Sequence, residues 1–386
     1  MSPLVDRHSA CTLSPAFEAD YRMKLVIDMT GFWPGGAERQ VLDLGNGLVA
    51  RGHDVLLILH QRAWAYQREL WQSDMDAVEL QRTSGFDART TWWVYRALRA
   101  RGAQVCLSEL VSPWGRLAAV LAGCPLVVAE HSSDRPLRRR VLWTNRVFRP
   151  ATAQVVACAQ AQIPTLVREG HAPDKIAVIR NGVDTRAFRF DAGAGRAFRE
   201  RHGLPTGDFV LGLVAAQRTE KRHDRFIDLV GLLRRAGVPA WGCAIGAGPL
   251  LSENRRLASQ SEAHRWLRFP GGVQDMIAAY SACDVVVLVS DAVETFPLAF
   301  LEAQACEVPV VAMDIGGVRE TVTPGLTGEI VRQGDMEGMT ASLVRLARNP
   351  QERLAMGKAA RHWVTTSHEV ERMVDAYESL LMSLTT

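Results

Sequence analysis

No stretch of this sequence approaches the roughly 20 consecutive apolar residues that a helical membrane span requires, which excludes such a span. The opening segment, "MSPLVDRHSACTLSPAFEADYR", has no apolar region of the kind a secretory signal needs, and residues 1–22 read as a polar extension. Seven cysteines are scattered along the chain, none in a C-x-x-C pair, and most lie in apolar runs. That pattern excludes a disulfide framework and a cysteine zinc site and points to a reducing cytoplasm. A formal net charge of +3 is too small to argue for nucleic acid. The strand-to-helix fingerprint G-x-G-x-x-G is also missing: the first such turn, "TGFWPGGAER", has its glycines at Gly31, Gly35 and Gly36, which argues against a nicotinamide dehydrogenase. One D-x-D, Asp74 to Asp76, falls outside any recognisable strand end, so neither a metal nor another cofactor is expected.

What is present is an alternation of short apolar runs with longer amphipathic ones. "MKLVIDMT" (23–30), "HDVLLILH" (53–60), "AQVCLSE" (103–109), "PLVVAEH" (125–131) and "AQVVACA" (153–159) read as buried strands, with a helix at 35–52 between the first two. A polar, glycine-containing break follows at 191–208, and the alternation restarts at "FVLGLVAA" (209–216). Helices are expected around 223–236 and 250–263, and strands at 240–248, 265–271, 283–290 and 308–314. Two helices close the chain, near 335–348 and 351–383, the second broken. The expected architecture is α/β: two doubly wound domains, 23–195 and 196–365, with a C-terminal helix over 366–386 that returns to the first domain. A ligand is expected in the cleft between them, at the carboxyl ends of the strands.

Candidate site residues sit at those strand ends. In "ETFPLAFLEAQACEVPVV", Pro297 suits the first turn of a helix whose leading amides form an anion site. Leu298 and Glu302, four apart, share a face of that helix. Glu302 either accepts hydrogen bonds from vicinal hydroxyls, as on a ribose, or caps a neighbouring loop or pairs with an arginine. Glu294 faces whatever extends beyond the phosphate. "VAAQRTEKRHD" clusters Arg218, Lys221 and Arg222 at a strand-to-helix turn, either a diphosphate site or a solvated helix start. The turns "AIGAGPL" and "RFPGGVQD", with Gly248, Gly272 and Val273, permit close approach to a planar base or are simple turns. His131 ends the 125–129 strand and points toward the same cleft or is structural. From Arg135 to Arg149 there are six arginines and no acid. That run reads as an amphipathic basic helix that meets anionic lipid or a phosphorylated acceptor, or as a solvated face.

Taken together, these elements resemble the retaining GT-B glycosyltransferases of glycosyltransferase family 4, the glycosyl transferases group 1. "ETFPLAFLEAQACEVPVV" resembles the family's E-x7-E element, and "GGAERQVLDLGNGLVARGHDV" its glycine loop and first helix. "KIAVIRNGVDTRAF" resembles the segment before its interdomain linker. "RTEKRHD", "IGAGP" and "DIGGVRE" resemble its basic loop and two of its turns.

The resemblance implies that Glu302 accepts the ribose hydroxyls of a nucleotide diphosphate sugar and that Thr295, Phe296, Pro297 and Leu298 line the diphosphate. It implies that Glu294 contacts the transferred sugar and that Lys221, with Arg218, stabilises the departing diphosphate. Gly35 and Gly36 then approach from the other domain, and His131 lies near the reacting carbon. The sequence departs from the family pattern at Ala215-Ala216, where Gly-Arg is usual, at Ala247, where an acid is common, and at Thr295 and Glu307, where glycine is usual. Either Glu307 is strained at a left-handed helix stop or the helix ends differently.

The expected function is transfer of a sugar, UDP- or GDP-linked, to a glycan or lipid-linked acceptor in cell-surface polysaccharide or lipopolysaccharide synthesis. The expected location is cytoplasmic, on the inner face of the membrane through Arg135–Arg149. The competing reading is a two-lobed nucleotide-sugar-binding protein that does no chemistry.

Overall fold

The computed structural model describes residues 22–32, 35–61, 74–80, 88–109, 112–131, 139–291 and 294–385. Residues 1–21 of the polar extension and the arginines before Arg139 lie outside them.

The N-terminal lobe is a parallel sheet in the order β3-β2-β1-β4-β5-β6-β7. Its strands are β1 (Lys24–Met29), β2 (Asp54–Leu59), β3 (Asp76–Glu79), β4 (Val105–Glu109), β5 (Leu126–Glu130), β6 (Thr152–Ala157) and β7 (Ile176–Val178). The central strands are buried on both faces, which is why they read as near-continuous apolar runs. Alternate side chains serve different layers. Leu25, Ile27 and Met29 pack with α1 (Gly36–Ala50). Val26 packs instead with the side that holds α2 (Arg89–Arg101) and α3 (Pro113–Ala122). Beside α3 lies α4 (Arg139–Phe148), and α5 (Ile163–Arg168) follows β6.

The C-terminal lobe repeats the plan, in the order β10-β9-β8-β11-β12-β13. Its strands are β8 (Phe209–Val214), β9 (Ala240–Ile245), β10 (Leu267–Gly271), β11 (Val285–Leu288), β12 (Val310–Met313) and β13 (Gly328–Val331). Its helices are α6 (Ala192–Arg201), α7 (His223–Arg235), α8 (Leu251–Gln260), α9 (Met276–Ser281), α10 (Leu298–Ala305), α11 (Met336–Arg348) and α12 (Pro350–Ser367). The segment read as a polar break at 191–208 therefore opens with a helix. Asp191 caps it, its Oδ1 accepting from the amides of Gly193 and Ala194 at 2.9 Å each. Gly195 is needed there because a Cβ would stand 2.5 Å from the carbonyl oxygen of Ser281.

The final helix, α13 (Val370–Met382), leaves the second lobe and packs on α1 of the first. Met373, Val374, Tyr377 and Leu381 are buried in the first lobe's core. The lobes are thus joined twice, and the two crossings are tied together: the Val183 amide donates to the His368 carbonyl at 2.9 Å, and the Val370 amide to the Val183 carbonyl at 3.1 Å.

Candidate active site

Parallel topology sends every strand's carboxyl end to the cleft. On the C-terminal side, the segment after β11 turns through Ser290 and Glu294 into α10. Pro297 is the residue just before the first helical position, with φ −64° and ψ 108°, rather than within the first turn. No side chain caps the helix, so its leading amides are open to an incoming anion. Thr295, Phe296 and Leu298 are buried. The loop is held from two directions: Asn181 Nδ2 donates to the Phe296 carbonyl at 3.1 Å, and the Gly317 amide to the Glu294 carbonyl at 2.8 Å.

Glu294 and Lys221, 73 positions apart, meet directly. Lys221 Nζ lies 2.5 Å from Glu294 Oε1, which also accepts from Ser290 Oγ at 2.9 Å. The other cations of the basic loop behave differently. Arg222 adopts a left-handed conformation, φ 50°, and turns to Asp224 and Asp291. Arg218 is exposed. Gly248 presses on the preceding turn, where a Cβ would stand 2.6 Å from the Gln217 carbonyl oxygen. Gln217 is itself buried and accepts from Asn254 Nδ2 at 2.7 Å. Gly272 faces Ala247, with half-buried Val273 next to it.

Glu302 receives a hydrogen bond of 2.6 Å from the buried hydroxyl of Tyr280, on α9. Burial pushes its carboxyl up to about 7, against the opposing pull of that hydroxyl and of Arg39. Asp43, on α1, is likewise pushed up by burial to about 6, although Arg39 lies 3.1 Å away. The influence of Arg39 and Asp43 on Glu302 comes from across the cleft. Gly36 crosses it too: a Cβ there would lie 3.5 Å from that of Leu298. The glycine loop with Gly35 and Gly36 thus faces the start of α10.

His131 is not solitary. Its Nε2 lies 2.9 Å from Glu109 Oε2, and its ring is nearly covered. Burial opposes protonation, but the Glu109 carboxylate and the Cys158 thiol outweigh it and hold the imidazole well above its ordinary value. The structure therefore groups Lys221, Glu294 and Ser290 in one cluster, Glu302 and Tyr280 in a second, and His131 and Glu109 in a third. Sequence reasoning missed Tyr280, Ser290 and Glu109, which carry no spacing signal toward their partners. Among the described residues, no group of three or more His, Cys, Asp or Glu side chains is placed to hold a metal ion, and no helix is long and apolar enough to cross a membrane. Asp76, of the D-x-D, pairs with Arg101 at the edge of the first sheet.

Two parallel-sheet α/β lobes facing a cleft are the architecture of the GT-B fold. Residues 34–187 match the family described as Glycosyltransferase Family 4, and residues 196–363 that described as Glycosyl transferases group 1. The chain belongs to this family of GT-B-type glycosyltransferases.

Among curated relatives, it is 36% identical over 191 residues to the GDP-mannose-dependent alpha-(1-6)-phosphatidylinositol monomannoside mannosyltransferase of Mycolicibacterium smegmatis, covering 47% of this chain and 50% of that protein. It is 32% identical over 274 residues to the D-inositol 3-phosphate glycosyltransferase of Saccharomonospora viridis, covering 64% and 62%. The matches thus span half to somewhat under two thirds of these relatives' length. Among solved structures, the glycosyltransferase of Rickettsia africae superposes with a TM-score of 0.82 at 17% identity, over 94% of this chain and 99% of that one. The Anabaena protein HepE, solved in complex with UDP-glucose, does so with a TM-score of 0.82 at 20% identity, over 94% and 100%. At those identities the structural likeness concerns the fold.

Proposed function

We propose that this chain transfers a sugar from a nucleotide diphosphate sugar to a hydroxyl of a glycan or lipid-linked acceptor, with retention at the anomeric carbon and without a divalent metal. The observation that carries this reading is the Lys221–Glu294 pair beside the uncapped start of α10, with Glu302 one turn further along and the Gly36 loop opposite. The relatives support the donor class, since the Mycolicibacterium smegmatis mannosyltransferase is GDP-mannose-dependent and HepE was solved with UDP-glucose. UDP and GDP donors both remain within it.

Glu302 accepts the ribose hydroxyls. The amides of Phe296 and Leu298, with Lys221 and Arg218, receive the diphosphate, while Gly35, Gly36, Gly248, Gly272 and Val273 shape the walls. Thr295 and Pro297 complete the loop. As the donor enters, Lys221 exchanges Glu294 for phosphate oxygen, which frees the Glu294 carboxylate for the sugar hydroxyls. The bond from the anomeric carbon to the β-phosphate oxygen breaks, and its electron pair leaves with the diphosphate. The acceptor oxygen bonds to the same face of the carbon, and its proton passes to the departing phosphate oxygen. Preorganised positive groups stabilise the leaving charge, and His131, kept protonated by Glu109, adds a donor near the sugar. The domain division proposed is 23–195 and 196–365, with 366–386 returning to the first lobe.

The test is a thermal-shift screen against UDP, GDP and ADP followed by acceptor-free hydrolysis of the corresponding sugar nucleotides. A ligand at 100 times its dissociation constant stabilises by about 2.7 kcal/mol. Nucleotide binding with slow hydrolysis supports the reading; binding without any hydrolysis or transfer returns the protein to a receptor role.

A further inference from the structure

The back of the C-terminal lobe holds a cavity that plays no part in the cleft. Its volume is about 440 Å³, a size that takes small molecules. Its walls come from the amino ends of the strands: Phe209 opens β8, Pro239 precedes β9, Asp284 precedes β11 and Pro309 precedes β12. Residues of α6 and of the junction between α11 and α12 complete it. Since β8 spans six residues, the cavity lies roughly 20 Å from the cleft along the sheet.

The charged groups of this cavity fall into two sets. Asp284 accepts from Arg199 at 2.8 Å and from Arg353 at 3.0 Å. Arg199 also donates to the carbonyls of Ala282, Pro205 and Asp208, and Arg353 to that of Leu346. The Asp208 carboxylate is taken by the indole N–H of Trp241 at 2.8 Å. These groups brace the wall. Arg196 and Glu307 differ: both line the cavity, and neither side chain has a hydrogen bond or an ion pair among the described residues.

Glu307 also stands where a side chain is costly. Two bonds close the end of α10, from the Glu307 amide to the Gln304 carbonyl at 3.0 Å and from the Val308 amide to the Ala303 carbonyl at 2.9 Å. The helix α12 presses on that turn at Gly357, where a Cβ would stand 2.0 Å from the Glu307 carbonyl oxygen. The backbone is thereby held at φ 60°, which glycine adopts without steric penalty. The turn explains the conformation but not the glutamate. Strain of this kind is typical of positions held for a function.

We propose that this cavity binds a neutral saccharide, away from the reacting centre. A free carboxylate and a free guanidinium cancel in charge, so the site favours neither an anion nor a cation. They call instead for a ligand that donates at one point and accepts at another, and hydroxyl groups do both. Much of the remaining wall is apolar. Phe190 and Leu354 stand 47% and 61% exposed at it, and the Arg353 guanidinium lies 5.4 Å from the ring centroid of Phe209. A pyranose ring has a C–H face for such a surface and hydroxyls along its edge. A phosphorylated sugar would gain from Arg196 but bring its charge to Glu307. On the reading of function proposed above, a glycan held here keeps its free end near the cleft at a raised effective concentration.

The test is saturation-transfer NMR with calorimetric titration of the full chain against maltotriose and methyl α-mannoside, with glucose 6-phosphate as the anionic control. Binding of either neutral sugar is expected in the millimolar range, with the phosphorylated sugar no tighter. Arg196→Ala and Glu307→Gly should each lower that affinity about tenfold or more, and Phe190→Ser should weaken it as well. Glu307→Gly should do so without a fall in melting temperature, since it relieves strain, so lost binding is not lost fold. Acceptor-free donor hydrolysis by the variants should match wild type, because cavity and cleft lie at opposite ends of the sheet. Sugar binding that the variants lose with hydrolysis intact supports the site. The same loss in a protein that hydrolyses no donor in any form also supports it and counts only against the proposed activity. Failure of both neutral sugars to bind, tighter binding of glucose 6-phosphate, or variants that bind like wild type would overturn it.

Discussion

Donor affinity should improve as pH rises from 6 to 8, and Glu302 is the reason. Its carboxyl, pushed by burial to about 7, is largely neutral at pH 6 and largely ionised at pH 8. A ribose hydroxyl donates more strongly to the carboxylate than to the acid. If binding requires the ionised form, a group with a pKa of about 7 weakens affinity about elevenfold at pH 6 and only about 1.1-fold at pH 8. The expected change is therefore about tenfold, or about 1.4 kcal/mol. Fold stability carries the opposite sign. A carboxyl raised above its unfolded value of 4.5 favours the folded state at low pH, and that contribution is lost as pH rises through about 7. The unliganded melting temperature should therefore not climb where donor affinity does. The assay is calorimetric titration with an intact sugar nucleotide, whose phosphates do not titrate in this range as those of a free nucleoside diphosphate do. Glu302→Gln should flatten the profile. A wild-type affinity that is constant from pH 6 to 8, or a slope that survives in Glu302→Gln, would refute the assignment.

Four further expectations follow from the same contacts. Tyr280→Phe removes the hydroxyl that opposes the rise in Glu302, so the affinity profile should move to higher pH with kcat little changed; an unmoved profile would make Tyr280 a packing residue only. Lys221→Ala should lower kcat by a factor on the order of 10² to 10³, as loss of one preorganised electrostatic group does, and turnover like wild type would make the pair with Glu294 structural. Glu307 holds φ 60°, a left-handed conformation costly for any residue but glycine. Glu307→Gly should stabilise by up to about 1 kcal/mol in urea unfolding, and a lower midpoint would show that its side chain contributes more than its strain costs. Turnover after exhaustive chelation should persist; activity that returns only with magnesium or manganese would show that Lys221 and the α10 amides do not suffice.

The fold was legible wherever burial leaves a mark on sequence. Strands covered on both faces, such as "LVIDM" and "VVVL", read as apolar runs because no polar face is required of them. Edge strands carry a weaker mark, and of them only β10 was read, at 265–271. β3, "DAVE", and β13, "GEIV", are short and partly exposed, and each went unread. The helix at Ala192–Arg201 was hidden by its two glycines, of which Gly195 serves close packing against Ser281 rather than flexibility. The strained helix stop at Glu307 was one of the two outcomes foreseen, because one residue type is expected at a left-handed position. At the site, positions could be named but pairings could not. Nothing in the spacing of Lys221 and Glu294 announces that they touch, nor that Tyr280 on a separate helix reaches Glu302. Such contacts depend on how far each strand end projects, and sequence periodicity does not encode that.

The return of α13 to the first lobe has a consequence for how the molecule is made. All seven strands of that lobe's sheet have been synthesised once Val178 is added. Yet Met373, Val374, Tyr377 and Leu381, which cover part of its core, come only after the entire second lobe. Until then the flank of α1 at Gly47, against which Val374 packs, has no final cover. The first lobe must wait, with apolar surface open to water, while the second is completed. Folding of the early lobe is thereby made conditional on the late one, and a chain interrupted within the second lobe leaves a sticky first half rather than a finished domain.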